Sequence, residues 1–147
     1  EITHVPPGEI AKLAKRAKDA GADIVVVHGE TPVEPVAPGT NEAACRCRDV
    51  DILAHPGILT AAEAALAAKN GVALEITSRG GHKRANGHVA RIGREAGCRL
   101  VVDSDAHAPH DLLDKTARLL VAKGAGLTGR ECRDILKDEV GTFLSSR

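Results

Sequence analysis

Three short apolar runs in this chain each stop abruptly at a histidine or an aspartate. Ile24-Val25-Val26-Val27 runs into His28-Gly29-Glu30, and Val50-Asp51-Ile52-Leu53-Ala54 runs into His55-Pro56-Gly57. Leu100-Val101-Val102 runs into Asp103, Asp105 and His107. Short apolar runs rich in valine and isoleucine and bounded by polar turns read as buried parallel strands. The interval from Glu1 to His28 is the same as that from His28 to His55. It is close to the roughly 30 residues that a strand, a loop, a helix and a second loop occupy. Right-handed crossovers return each strand parallel to the last. Glu1, His28, His55, Asp105 and His107 are therefore expected at one end of one sheet. That is the C-terminal end, where α/β folds collect ligands. Carboxylates and imidazoles gathered there without thiolates suit Zn²⁺, Mn²⁺ or Fe.

The segments between the strands read as helices and loops. Ile10, Leu13, Ala14 and Ala17 form one buried helical face. Lys12, Lys15, Arg16 and Lys18 fall mostly off that face and read as solvated charge. The loop 29–39 carries Pro32, Pro35, Pro38 and Gly39, too many breakers for a helix or strand, and is expected to fold over the site. A short helix is expected over 40–47. Thr60 with Glu63, and Thr128 with Glu131, are capping-box pairs that open two later helices. Strand 72–77 carries Glu75 pointing away from Leu74 and Ile76, then enters a polar loop through Arg84. A helix follows to Ala96, and another is expected near 111–123. The last helix is expected to reach about Glu139, with a weakly packed tail. The rhythm of glycine, strand, loop and helix argues for a parallel α/β sheet or barrel over residues 1–147 as one domain. Strand tails are expected near residues 2, 24, 51, 73 and 100.

Composition excludes several functions. Phe143 is the only residue among Phe, Trp and Tyr, so the chain offers no stacking platform for single-stranded nucleic acid. Formal net charge is zero, which gives no global bias toward polyanions. A nucleic-acid partner is accordingly not expected. No apolar run has the length of a membrane span and no signal-peptide pattern is present, so no membrane partner is expected. Cys45, Cys47, Cys98 and Cys132 read as reduced thiols, which favours the cytoplasm. The chain has no methionine and opens on Glu1, so it is expected to be a processed chain or a piece of a longer one.

The motifs in combination carry a resemblance. They are Glu1-Ile2-Thr3, Val27-His28-Gly29-Glu30-Thr31, Asp51-Ile52-Leu53-Ala54-His55-Pro56-Gly57, Leu74-Glu75-Ile76-Thr77 and Asp103-Ser104-Asp105-Ala106-His107. In this order, over residues 1 to about 115, the chain resembles the polymerase and histidinol phosphatase (PHP) superfamily, and within it the histidinol-phosphatase-like hydrolases. The resemblance implies a PHP-type distorted α/β barrel of seven strands. This chain would supply about five βα units of it, the C-terminal majority of the barrel. It also implies two or three divalent metal ions (Zn, Mn or Fe) and hydrolysis of a small-molecule phosphate ester by metal-activated water. On that resemblance Glu1 is a bridging carboxylate, His28 and His55 are ligands of the metal it shares, and Asp105 and His107 are metal ligands with catalytic roles. Arg79, His82, Lys83 and Arg84, just past a strand end, are candidates for binding the substrate phosphate. A plain solvated loop explains their charge equally well.

One departure stands beside the match. The family opens with a His-x-His motif, and this sequence contains none. The chain is therefore expected to be catalytically incomplete and to need a missing N-terminal segment of the same protein. The alternative reading keeps the fold and drops the chemistry, as a non-catalytic scaffold or RNA-associated subunit on a degenerate PHP-like barrel. A third reading is a doubly wound sheet whose Glu1, His28, His55 and Asp105 do not converge.

Overall fold

The computed structural model describes residues 1–137. The expected end of the last helix near Glu139, the tail and Phe143 lie outside the described residues. Each apolar run forms a strand, and each strand is followed in the chain by a helix. The elements are α1 (Ile10–Asp19), β1 (Val26–His28), α2 (Thr40–Arg46), β2 (Ile52–Ala54) and α3 (Ala61–Asn70). They continue with β3 (Ala73–Thr77), α4 (Asn86–Ala96), β4 (Leu100–Asp103), α5 (Lys115–Gly124) and α6 (Gly129–Lys137). Among the described residues the sheet has four strands in the order β1-β2-β3-β4, every pair parallel. The fifth expected strand, at the start of the chain, is reduced to a single parallel bridge from Ile2 to Val27.

Local chemistry explains the helix ends. Thr60 Oγ1 accepts from Glu63 N while Glu63 Oε2 accepts from Thr60 N at 2.6 Å, a closed capping box. Thr128 and Glu131 repeat it at α6, where Glu131 also holds Arg94 at 2.7 Å. These hydrogen bonds hold the Glu131 carboxyl down at about 2, Arg94 first among them. Helices α1 to α4 pack side by side in chain order, while α5 and α6 pack on each other and on β4. The core is aliphatic: Ile10, Val27, Val50, Leu53, Leu59, Leu74, Ile76 and Val89 are all fully buried. The four cysteines are free thiols, and burial pushes Cys45 up to about 12, which makes it a packing residue. Among the described residues no helix is long and apolar enough to cross a membrane.

Lys18 departs from its expected place on the solvated face of α1. Its ammonium turns inward to the fully buried Asp51 carboxylate at 2.8 Å and donates to Asp23 O at 2.7 Å. Asp51 Oδ2 also accepts from Val25 N at 2.6 Å, at the end of the sheet where β1 begins. The lysine stem is long enough to lie along the helix while its head reaches a buried partner. Removing one partner of a buried pair leaves the other charge uncompensated, typically at 3–5 kcal/mol. Asp51→Ala should therefore lower the unfolding free energy by about 3 kcal/mol or more in urea titration. A loss below about 1 kcal/mol would mean that Lys18 finds water instead.

Candidate metal centre

The parallel register puts two histidines side by side. His28 ends β1 and pairs with Ala54, the last residue of β2, so His55 emerges beside it. Their ring centroids are 4.4 Å apart and nearly perpendicular. His82, in the single 3₁₀ turn that follows β3, brings a third ring 4.5 Å from His55 and 6.0 Å from His28. All three are buried, and each offers a ring nitrogen within 4.8 Å of the other two.

Hydrogen bonds fix which nitrogens are free. His28 Nδ1 donates to the Gly29 carbonyl at 2.9 Å, so its Nε2 carries the lone pair. His55 Nδ1 donates to Glu75 Oε2 at 2.9 Å, and the same oxygen accepts the His55 backbone N–H at 2.6 Å. His55 Nε2 and His82 Nδ1 are then buried with no hydrogen-bond partner. Leaving such atoms unsatisfied costs about 1–3 kcal/mol each. A cation among the rings would satisfy His55 Nε2, and a ligating histidine held by a carboxylate on its other nitrogen is the usual arrangement around metals. The three histidines therefore fit a metal ion by position and burial, and His28 and His55 also by tautomer.

Two glycines let the turns interlock. A Cβ on Gly29 would lie 2.6 Å from Pro56 Cα, and one on Gly57, where φ is +66°, would overlap the Glu30 carbonyl. The backbone is strained around the rings as well. Among the described residues His4, His55 and Asp105 are the non-glycine residues with positive φ, at 53°, 31° and 48°. His4 lies 5.7 Å from the His28 ring.

The other expected residues fall at different distances from the cluster. Glu1 is exposed, and its charge helps to raise the His55 pKa, as does that of Asp105. Asp105 Oδ2 lies 3.8 Å from Arg79 Nε, and Arg79 also reaches Asp111 at 3.3 Å. His107 is outside the histidine cluster. Its side chain is 62% exposed and its Nδ1 donates to the Asp105 carbonyl at 2.8 Å. Arg84 lines a cavity of about 450 Å³ with Thr77, Ser78 and Lys83, and none of the three histidines borders it. His82, a candidate for binding substrate, sits inside the cluster. Sequence reasoning did not give it that place, because it lies five residues past its strand, beyond a Gly-Gly pair. Glu75, the positioning carboxylate, was visible in the sequence as a polar residue in an apolar strand and as part of the Leu74-Glu75-Ile76-Thr77 motif, but its pairing with His55 was not.

No protein-family model matches the chain. An uncharacterized protein of Methanocaldococcus jannaschii is 52% identical over 136 residues, which cover 92% of this chain and 62% of the relative. A probable phosphatase of Shewanella pealeana is 36% identical over 109 residues, 67% of this chain and 44% of the relative. The chain thus spans under two thirds of either relative. In three dimensions it is similar to a chain from the cryo-EM structure of archaeal Ribonuclease P with mature tRNA, at a TM-score of 0.77 and 16% identity. That match covers 99% of this chain and 66% of the other. It corrects the expectation that nucleic acid is no partner, since the same fold occurs in a structure that contains tRNA. Few aromatics and zero net charge exclude base stacking and a global field. They do not exclude recognition of folded RNA by shape and backbone contacts.

Electrostatics separate the three rings. Burial lowers the His55 pKa, but the hydrogen bond and charge of Glu75, with Asp105 and Glu1, outweigh it and raise the value above 6.5. Burial, then the neighbouring His55, lowers that of His82. Ring resonances of the metal-free protein should therefore show His55 taking its proton first as pH falls and His82 later. Metal binds the neutral rings, so Zn²⁺ affinity should begin to fall as pH drops into the range where His55 protonates. NMR titration in the reverse order would contradict the assigned role of Glu75.

Proposed function

We propose that this chain is a metal-dependent phosphoesterase of the PHP type, acting on a phosphate monoester. The observation that carries the reading is the buried trio His28, His55 and His82, with free ring nitrogens converging and Glu75 fixing His55. The phosphatase-named relative supports it. A divalent ion (Zn, Mn or Fe) held there would acidify a bound water and draw charge from a phosphoryl oxygen. The chain's own groups supply the rest. Glu75 keeps His55 Nε2 as the donor atom. Glu1 and Asp105 place negative charge beside the rings and serve as further ligands if more than one ion binds. His107 has its Nδ1–H occupied by the Asp105 carbonyl, which leaves the Nε2 lone pair at the exposed rim to take a proton from the attacking water. Arg79, beside Asp105, offers guanidinium N–H groups to the phosphoryl oxygens.

A second reading is an RNA-associated protein on the same fold, which the likeness to the chain from the Ribonuclease P structure favours. Hydrolysis of p-nitrophenyl phosphate with added Mn²⁺ or Zn²⁺, by the chain joined to an N-terminal segment that carries His-x-His, separates the two. The first reading expects turnover that chelation abolishes and that His55→Ala reduces at least about a hundredfold. Glu75→Gln should cost about 10–100-fold in metal affinity. Absence of turnover, together with salt-dependent binding of folded RNA that His55→Ala leaves intact, would replace it with the second.

A further inference from the structure

We propose that Glu34 is the fourth donor of the three-histidine centre, a carboxylate that the proline-rich loop 29–39 delivers to the position a phosphate oxygen would take. This deepens the metal-binding reading above and rests on it. Glu34 Oε2 lies 3.8 Å from His28 Nε2 and 3.8 Å from His82 Nε2. His28 Nε2 is the lone-pair nitrogen, because Nδ1 donates to Gly29 O. A carboxylate oxygen and an imidazole lone pair are both acceptors, and 3.8 Å is too long for a hydrogen bond between them. What suits the gap is a cation. Around a tetrahedral ion with bonds of about 2.0–2.1 Å, neighbouring donors lie about 3.3–3.4 Å apart. Among the described residues the donor group within 4.8 Å is the three histidines alone, so Glu34 has to swing inward to join it, by a few tenths of an ångström toward His28 and His82.

The loop is built to present this residue. Its base is clamped: Glu30 Oε1 accepts from Gly39 N and Asn41 N, both at 2.9 Å. Asn41 answers by accepting from Glu30 N at 3.0 Å and donating to Pro56 O at 2.8 Å. Pro32, Pro35 and Pro38 restrict the span between, so its ordering entropy is low. At its tip Val33 lies so near Gly81 that a Cβ there would meet its methyl at 3.0 Å. Gly81 precedes His82, so this contact sets Glu34 beside the third ring. The Glu34 side chain is 52% exposed, which leaves it free to turn toward an ion or away.

Three histidines and a carboxylate complete a four-coordinate shell, whereas hydrolysis needs an open position. Glu34, half-exposed on its loop, would then be the ligand whose departure opens that position.

The test is Zn²⁺ titration of metal-free protein against a chromophoric chelator, for wild type, Glu34→Ala, Glu34→Gln and His28→Ala. Both Glu34 variants should bind Zn²⁺ roughly tenfold more weakly or worse, the scale of losing even an outer partner. Their metal-free melting temperatures should match wild type, because the Glu34 side chain is half-exposed. Wild-type affinity in either Glu34 variant, with affinity lost in His28→Ala, would overturn the role of Glu34 and keep the histidine centre. Wild-type affinity in all three variants would overturn both.

Discussion

One carboxylate oxygen decides the geometry of the site. Glu75 Oε2, on the middle residue of β3, takes both the backbone N–H and the Nδ1–H of His55. Its side chain is 4% exposed, and burying such a charge costs several kcal/mol unless it is well satisfied. Two charge-assisted hydrogen bonds supply that satisfaction. The same bonds turn His55 out of the extended conformation of β2 into a left-handed φ. They also leave its Nε2 facing the neighbouring rings. Without Glu75 the imidazole would be free to present either nitrogen, and the trio would have no fixed donor set.

The parallel register sets the rest. Because β1, β2 and β3 advance in step, residues just past their C-terminal ends arrive at one place. His28 and His55 were legible for that reason: each directly follows an apolar run, one βα interval apart. The strand–helix alternation and the capping boxes at Thr60 and Thr128 were legible too, since each rests on contacts within a few residues. What escaped the sequence depends on long-range approach. His82 reaches the cluster through a turn whose direction no local pattern encodes. Lys18 looked solvated until Asp51, 33 positions further on, came to lie under it. Glu34 lies in a loop whose path is set by Asn41 and Gly81. His107 shows the converse. Its motif is conspicuous, yet the chain beyond β4 carries it to the rim, outside the histidine trio.

The two functional readings make different demands on the same residues. RNA binding by shape and phosphate contact needs cations on the surface, and Lys83 and Arg84 provide two beside one cavity. It has no use for buried imidazoles with unsatisfied nitrogens. Hydrolysis needs those imidazoles, and the surface cations could then serve substrate phosphate instead. The phosphatase-named relative and the Ribonuclease P neighbour therefore do not compete for one explanation. The first is a likeness in sequence, the second a likeness in fold.

Strain gives an independent reason to connect the trio with a ligand. A non-glycine residue in a sparsely populated conformation costs about 1–3 kcal/mol and persists only where its surroundings force it. His4, His55 and Asp105 are such residues, and each lies beside the rings or projects its charge onto them. The orphaned ring nitrogens add to the same deficit. A domain is stable by only 5–15 kcal/mol in total, so an expense of this kind concentrated at one point is large. A ligand that binds the folded chain alone returns free energy in proportion to the logarithm of its concentration over its dissociation constant. At a hundredfold excess over that constant the return is about 2.7 kcal/mol, enough to offset one strained residue and part of a second. The strain and the unsatisfied nitrogens thus coincide at one place, the trio whose ring nitrogens lie close enough together to hold a metal ion.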